Sequence, residues 1–262
     1  SDTETLLAAI DHWGLEKTLK KAKGMFAVAL WDRRNKNLSL ACDRIGEKPL
    51  YYGWVNDQFV FASELKSIKK FPEFKNLIDR NSLALFLRFN SIPAPHSIYQ
   101  DIYKLEPSQI IQLNADSKQV KKFNFWSTEE VYNKGSLSQV SGTPKEIVDQ
   151  LEVVLSKAVS SQMQSDVPLG AFLSGGIDSS TIVALMQSQS ASQVNTFTIG
   201  FNAKEYDEAK HAQMVANHIG TNHFEMYVSD RDALDIIPSL PNIYDEPFAD
   251  SSQIPTYLVS KF

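Results

Sequence analysis

The chain has 262 residues, of which 43% are hydrophobic, and a formal net charge of −5. That length accommodates one large or two modest domains, each with a substantial core. The negative charge argues against a nucleic-acid-binding protein, the single cysteine leaves no internal disulfide, and no apolar run reaches transmembrane length. These properties favour a cytoplasmic enzyme that binds neither nucleic acid nor a membrane.

The first half of the chain predicts a short helix followed by antiparallel strands. Ser1 and Glu4 have the spacing of a capping box. Leu6, Ile10 and Trp13 then share one helical face. Runs of β-branched and aromatic residues separated by turn residues predict antiparallel sheets. The predicted strands are 25–31, 38–42, 50–54, 59–62, 109–113 and 120–126, with a short helix near residue 64 and a longer one over 80–89.

The second half predicts a different architecture. Residues 127–142 are polar without periodicity, which indicates an interdomain linker. Thr143 and Glu146 form a second capping box, after which helical and apolar strand patterns alternate. This alternation predicts an α/β fold with a doubly wound parallel sheet, whose ligands bind at the carboxyl ends of the strands. The predicted strands are 167–173, 194–200 and 223–228, and the predicted helices are 144–159, 179–188, 207–219, one from about residue 230 and 255–262.

A glycine-rich loop follows the first strand of this second half. Two adjacent glycines allow backbone N–H groups to approach an anion, and the following helix directs its positive end to the same place. The loop therefore predicts a phosphate site, although a serine-capped turn is the alternative. Its aspartate would hold a metal ion shared with the phosphates. The loop comprises Leu173, Ser174, Gly175, Gly176, Ile177, Asp178, Ser179 and Ser180, and it lacks the Gly-Lys-Ser/Thr of a Walker A sequence.

The glycine loop resembles the PP-loop, Ser-Gly-Gly-x-Asp-Ser, of ATP pyrophosphatases. Three blocks precede it: GMFAVALWD at 24–32, DRIGEKPLYY at 43–52 and FASELK at 61–66. In this order the four blocks resemble the glutamine-hydrolysing asparagine synthetase family, over essentially the whole chain. The resemblance implies the C-terminal part of a class II glutamine amidotransferase domain of αββα type at 1–126, a linker at 127–142 and the N-terminal part of a PP-loop synthetase domain at 143–262.

The resemblance also implies a reaction and its site residues. The carboxylate of L-aspartate attacks the α-phosphorus of ATP, pyrophosphate leaves, and ammonia from L-glutamine displaces AMP. Asp178 would bind Mg²⁺, Leu173 and Ile199 would contact the adenylate, and Asp2 would bind the α-ammonium group of glutamine, with a helix cap as its alternative role. The implied pyrophosphate ligands are Ser174, Gly175, Gly176, Ser179 and Ser180. Whether the protein is a homodimer is left open.

Both ends of the sequence suggest an internal piece of a longer protein, because there is no initiator Met and the last helical pattern runs to the final residue. The family's N-terminal cysteine nucleophile and Asn-Gly oxyanion hole precede the segment aligned with Ser1, so no catalytic residue is assigned. Cys42 lies in a predicted strand and is expected to be a buried, unreactive thiol. Two alternatives stay open: amidation of another carboxylate, such as a uronic acid in polysaccharide biosynthesis, and a non-catalytic nucleotide-binding module.

Two polar segments have no single predicted role. Arg44 and Lys48 flank a turn that starts at Asp43, and this turn is expected to shape the amidotransferase part. Residues 245–252 carry three carboxylates, which suit a polar loop as well as a substrate or metal site. The histidines are scattered without metal-ligand spacing.

Overall fold

The computed structural model describes residues 1–201 and 208–262, and the chain divides into two units. Unit 1 comprises Ser1–Gln139 and Pro241–Ala249, and unit 2 comprises Val140–Leu240 and Asp250–Phe262. The chain therefore leaves unit 2 after Leu240, contributes a short segment to unit 1, and returns to unit 2. No helix in the described ranges is long and apolar enough to cross a membrane.

Unit 1 begins with two helices, α1 (Asp2–Trp13) and α2 (Leu15–Lys21). The predicted capping box of α1 is confirmed, with Glu4 N donating to Ser1 Oγ at 3.3 Å. The cap is Ser1 rather than Asp2. Helix α2 was not predicted, because its seven residues contain only one apolar pair, Leu15 and Leu19, of which Leu19 is fully buried.

Antiparallel sheets form the centre of unit 1, as the sequence predicts. One has the strand order β1-β2-β6-β7 and the other the order β4-β3-β5. The strand β5 was not predicted, because three residues are too few to show alternation. The strands are β1 (Ala27–Asp32), β2 (Asn37–Cys42), β3 (Tyr51–Val55), β4 (Gln58–Ala62), β5 (Ile102–Lys104), β6 (Gln109–Asn114) and β7 (Val120–Asn124).

The core of unit 1 lies on both faces of the central strands. On one face of β2, Leu40 packs with Ile111 and with Tyr52 of the second sheet. On the other face, Ala41 and Ile110 pack against Leu19 of α2. The far face of the second sheet is covered by the helices α3 (Leu65–Ile68) and α4 (Arg80–Phe89), both near their predicted positions.

The segment predicted as an interdomain linker, residues 127–142, contains a helix that was not predicted. Residues Thr128–Leu137 form helix α5, which has no buried residue. Ser127 Oγ accepts from Glu130 N at 3.3 Å, and two glutamates occupy the first turn. The cap and the helix dipole therefore stabilise a helix that buries none of its residues.

Unit 2 contains a parallel sheet with the order β10-β9-β8, which confirms the predicted parallel arrangement in the part that the structure describes. β8 is shorter than predicted because β9 begins opposite Gly170. Asp207, the predicted first residue of α8, lies outside the described residues. The elements are α6 (Pro144–Gln162), β8 (Gly170–Phe172), α7 (Ile177–Gln189), β9 (Asn195–Phe201), α8 (Ala209–Ile219), β10 (Asn222–Val228), α9 (Asp230–Ile236), α10 (Leu240–Ile243) and α11 (Gln253–Lys261).

Two clusters hold unit 2 together. Val159 of α6 packs with Leu185 and Met186 of α7. Val183, on α7, packs with Leu173 and with alanines of α8. Helix α7 is thus packed on both sides, which fixes the position of its first turn.

Candidate functional site

The glycine loop joins the end of β8 to the start of α7 within unit 2. Leu173 is 1% exposed, and its backbone N donates to Phe197 O of β9 at 2.9 Å. Its carbonyl accepts a hydrogen bond from Thr198 Oγ1 at 2.5 Å. Leu173 therefore fixes the start of the loop to the neighbouring strand, and the loop residues that follow it are largely exposed.

Serine side chains fold the loop back onto the first turn of α7. Ser174 N donates to Ser179 Oγ at 3.2 Å, and the two hydroxyl oxygens lie 2.9 Å apart. Gly176 N donates to Ser174 Oγ at 3.3 Å. Ser180 Oγ is buried and has no hydrogen-bond partner among the described residues. The loop thus gathers three hydroxyl groups beside the helix start.

Gly175 is required by both its backbone conformation and its surroundings. Its φ is +77°, in the left-handed region that disfavours other residues. A Cβ at this position would lie 2.8 Å from Ala212 N and 2.9 Å from His211 Cβ. The first turn of α8 therefore packs directly against the loop, and a side chain at Gly175 would separate them.

Helix α7 begins at Ile177, two residues earlier than predicted, which places Asp178 and Ser179 in its first turn. Gly176 caps this helix without a side-chain hydrogen bond, so the first N–H groups have no capping side chain. The positive end of the helix dipole is therefore directed at the exposed loop. This arrangement suits an anion with several oxygen acceptors.

Asp178 is exposed, and within the described ranges its carboxylate has no hydrogen-bond or ion-pair partner. A free carboxylate oxygen is a ligand that Mg²⁺ accepts, and Mg²⁺ is commonly held by one or two carboxylates together with phosphate oxygens and water. The described residues contain no group of three or more His, Cys, Asp or Glu that could hold a metal ion. Asp178 fits a metal that is brought together with phosphates.

Ile199 lies on β9, two residues beyond Phe197, which pairs with Phe172 at the end of β8. Its side chain is half-buried, and it pairs with Met226 of β10. Ile199 is therefore at the same carboxyl edge of the sheet as the glycine loop. The structure brings together in unit 2 all the residues predicted to bind ATP.

Unit 1 contains a cleft of about 700 Å³ that is lined by Asp2, Lys23, Lys48 and Ser63, among others. Asp2 Oδ1 accepts from Thr3 N at 2.7 Å, and its other oxygen has no donor among the residues that the structure describes. Sequence reasoning found Asp2 but missed the contribution of the two lysines to the cleft. They are far apart in sequence, and no local pattern connects them to Asp2.

Asp43 shapes one wall of this cleft. Its buried carboxylate accepts hydrogen bonds from the backbone N–H groups of Phe26, Ile45, Glu47 and Lys48, at 2.9 to 3.2 Å. Burial raises the pKa of Asp43, but these four donors outweigh it and hold the pKa below its ordinary value. The expectation that this turn has a structural role agrees with these contacts.

The contacts of Arg44 and Cys42 also indicate structural roles. Arg44 donates from Nη2 to Lys20 O and from Nη1 to Ala22 O, both at 2.7 Å, and so binds the last carbonyls of α2. Cys42 is 1% exposed, and burial together with the charge of Asp43 raises the pKa of its thiol to about 11. The prediction that Cys42 is buried is confirmed, and that its thiol is unreactive stays a prediction.

The carboxylates of residues 245–252 do not converge on one point. Asp245 Oδ1 lies 3.7 Å from Lys66 Nζ, and Glu246 Oε2 lies 2.5 Å from Lys104 Nζ. Asp250 Oδ1 accepts from Ser252 N at 2.8 Å, which lowers its pKa. These contacts favour the reading of this segment as a structured polar loop over a metal site.

Comparison with known proteins matches both halves of the chain. Residues 1–126 match the family described as glutamine amidotransferase domain, and residues 150–262 match the family described as asparagine synthase. A solved structure titled as the allosteric regulatory enzyme of purine biosynthesis has a TM-score of 0.33 and 14% identity, covering 87% of this chain and 53% of that chain.

Two curated relatives match the chain over its whole length. A putative glutamine-hydrolyzing asparagine synthetase 2 of Methanocaldococcus jannaschii is 36% identical, and the chain covers 50% of it. The glutamine-hydrolyzing asparagine synthetase 1 of Bacillus subtilis is 33% identical, and the chain covers 40% of it. The chain thus spans about half the length, or less, of these relatives. With both halves matched in this order, the chain belongs to the glutamine-hydrolysing asparagine synthetase family.

Proposed function

We propose that this chain is part of a longer, cytoplasmic, glutamine-dependent asparagine synthetase that converts L-aspartate, ATP and L-glutamine into L-asparagine, AMP, pyrophosphate and L-glutamate. The observation that carries the proposal is the glycine loop at the carboxyl end of β8, in a chain that belongs to this family. In this proposal residues 1–126 belong to the amidotransferase domain, 127–142 to the linker and 143–262 to the doubly wound synthetase domain.

The glycine loop binds the phosphates of ATP in this proposal. The backbone N–H group of Gly175 and the start of α7 offer donors and a positive dipole, and the hydroxyls of Ser174, Ser179 and Ser180 add further donors. Gly176 lets the backbone approach the phosphates closely, and its own N–H orients the Ser174 hydroxyl. The unpartnered hydroxyl of Ser180 supports this assignment, because a buried hydroxyl group is rarely left without a partner.

Asp178 would hold Mg²⁺, which neutralises the charge of the phosphates and of the leaving pyrophosphate. Leu173 and Ile199 would contact the adenylate through the edge of the sheet, where Leu173 is fixed by Phe197 and Thr198. The protein then acts chiefly by positioning the substrate carboxylate at the α-phosphorus and by stabilising charge.

The cleft of unit 1 binds glutamine in this proposal. Its lining combines one carboxylate, Asp2, with two amines, Lys23 and Lys48, so it matches an amino acid that carries both an ammonium and a carboxylate group. Asp2 would pair with the α-ammonium group, and either lysine would attract the α-carboxylate. The cleft therefore has a charge pattern that suits free glutamine.

The test uses the full-length product of the gene that encodes this chain. We expect pyrophosphate release with Mg·ATP and L-aspartate, and amide formation with either glutamine or ammonium. Pyrophosphate release with a uronic acid but not with aspartate would show that another carboxylate is the substrate. The absence of turnover with any carboxylate, together with ATP binding, would show a non-catalytic nucleotide-binding module.

Asp178→Asn provides the sharper prediction. The neutral amide is a much weaker Mg²⁺ ligand, so we expect Mg·ATP binding and pyrophosphate release to fall by about tenfold or more, while glutamine hydrolysis keeps its rate. Asp166→Asn, at an exposed position of unit 2 outside the loop, is the matched control. Equal losses of pyrophosphate release and of glutamine hydrolysis in Asp178→Asn would contradict the metal role.

A further inference from the structure

The segment Pro241–Ala249 belongs to unit 1, whereas the chain on both sides of it belongs to unit 2. Its central contact is made by Glu246. Glu246 Oε2 lies 2.5 Å from Lys104 Nζ, and Ile98 N donates to Glu246 Oε1 at 2.7 Å. Tyr51 Oη donates to Oε2 at 3.4 Å. Both carboxylate oxygens are therefore occupied by donors from unit 1.

This ion pair is largely removed from solvent. The exposed fractions are 21% for the Lys104 side chain and 10% for that of Glu246. Lys104 Nζ also donates to Ile92 O at 2.5 Å, and Ile92, Ile98 and Tyr51 belong to one buried apolar cluster. Burial, assisted by the charge of Glu246, raises the pKa of Tyr51, so its hydroxyl stays a donor. Removal of one partner would leave the other charge buried and unpaired.

Further contacts hold both ends of the segment. Ala249 N donates to Asn90 O, beyond the end of α4, at 2.9 Å. Lys66 Nζ lies 3.5 Å from Asn242 O and 3.7 Å from Asp245 Oδ1. These bonds are more exposed than the Glu246 pair and contribute less to stability. Glu246 is thus the main electrostatic contact of the segment.

The chain that follows the segment leads back to the nucleotide-binding edge of unit 2. Asp250 caps the turn at Ser252, and α11 then runs to Lys261. The ring of Phe262 lies 6.0 Å from that of Phe197, the β9 residue whose carbonyl binds Leu173 of the glycine loop. The loop 245–252 is therefore fixed in unit 1 at one end and continues at the other into a helix that packs on β9.

We propose that Glu246 and Lys104 form an anchor that holds the loop 245–252, and that this anchor couples glutamine hydrolysis to amide synthesis. Both are positioning residues, because they act through the loop and not on a substrate. The coupling role rests on the proposed function, whereas the anchor itself rests on the contacts described. Two measurements therefore separate them.

The first measurement is amide hydrogen exchange in the full-length gene product. Glu246→Ala should speed exchange at the amide of Ala249 by about tenfold or more, because the segment opens more often. Lys104→Met should also speed this exchange, because it removes the other partner of the ion pair. Glu246→Gln, which still accepts from Ile98 N, should have a smaller effect.

Asp57→Asn removes the exposed ion pair with Lys118 and is the matched control. Unchanged exchange at Ala249 in Glu246→Ala and Lys104→Met would overturn the anchor.

The second measurement is the amount of glutamate released per amide formed. We expect this ratio to rise by about threefold or more in Glu246→Ala, while the glutamine KM and the rate with saturating ammonium stay within about twofold of the wild type. A general loss of folding would instead lower both rates together. A wild-type ratio in a variant with faster exchange at Ala249 would overturn the coupling role. If the wild type forms no amide, the proposed function fails, and exchange still decides the anchor.

Discussion

Asp43 and Asp178 carry the same side chain in opposite surroundings. Asp43 is buried and accepts from four backbone N–H groups, whereas Asp178 is exposed in the first turn of a helix. A buried carboxylate with all its donors in place organises the backbone, and an exposed one is free to bind a metal ion. Burial and hydrogen bonding thus separate a structural carboxylate from a candidate ligand.

Asp43→Asn should destabilise unit 1 in a pH-dependent way. The pKa of Asp43 is lowered in the folded state, so its stabilisation is complete above the unfolded pKa of about 3.9 and is lost as the pH falls through the folded pKa. We expect the variant to lose about 1–3 kcal/mol of unfolding free energy at pH 7 and less at pH 3.

Tryptophan fluorescence during urea unfolding measures this effect, because all four tryptophans lie in unit 1. Asp57→Asn, whose wild-type carboxylate is almost fully exposed, serves as the control and should show a change near zero at both pH values. The same loss at pH 7 and pH 3 in Asp43→Asn would contradict the assignment.

Asp2→Asn tests the glutamine cleft. The substitution removes a charge-assisted hydrogen bond worth about 1.5–3 kcal/mol, so the glutamine KM of the full-length protein should rise by about tenfold to a hundredfold. Synthesis from free ammonium should persist. Helix α1 should stay intact because Ser1 is its cap. Asp11→Asn, on the same helix and outside the cleft lining, is the control, and an unchanged KM in Asp2→Asn would refute the role.

At the scale of elements, caps and glycines decide where helices begin. Thr143 and Glu146 form the predicted capping box of α6, with Thr143 N donating to Glu146 Oε2 at 2.8 Å. Helix α7 starts at Ile177 because Gly176 caps it in an extended conformation. These helix starts follow from local side-chain and backbone chemistry, and the start of α7 carries the proposed phosphate site.

Gly175→Ala should destabilise unit 2 by about 1–3 kcal/mol, because the new methyl group would meet the backbone of α8 at a positive φ. Gly176→Ala is the matched comparison. Gly176 has φ −72°, and a Cβ added there would lie 3.3 Å from its nearest neighbour, Ser174 Oγ. Gly176→Ala should therefore lose less unfolding free energy. Thermal unfolding, monitored by hydrogen exchange of the α7 and α8 amides, measures the stability of both variants. Equal losses of stability would show that neither the positive φ nor the contact with α8 distinguishes Gly175.

At the scale of the whole molecule, the 262-residue chain by itself should not hydrolyse glutamine. Its single thiol, Cys42, is buried and has a pKa of about 11, so no thiolate nucleophile is available near neutral pH. Glutamate release should equal the uncatalysed rate, and iodoacetamide should label Cys42 only after denaturation. Release that disappears in Cys42→Ser would disprove this prediction.

The sequence by itself determined the features that depend on neighbouring residues. The helix over Arg80–Phe89, the capping boxes and most strands follow from periodicity and cap residues within a few positions. The glycine loop was recognisable for the same reason, since the turn, the donors and the helix start are consecutive. Helices α2 and α5 were not predicted, because the sequence of α2 is short, that of α5 is polar, and both have little amphipathic pattern.

Only the tertiary structure decided which distant residues meet. It placed Lys23 and Lys48 in the cleft with Asp2, and it assigned Pro241–Ala249 to unit 1 through the pair of Lys104 and Glu246. Charged residues are common on every surface, so their sequence positions do not indicate which of them pair. Pairing depends on chain packing, which brings two groups together and excludes the water that would otherwise solvate each of them separately.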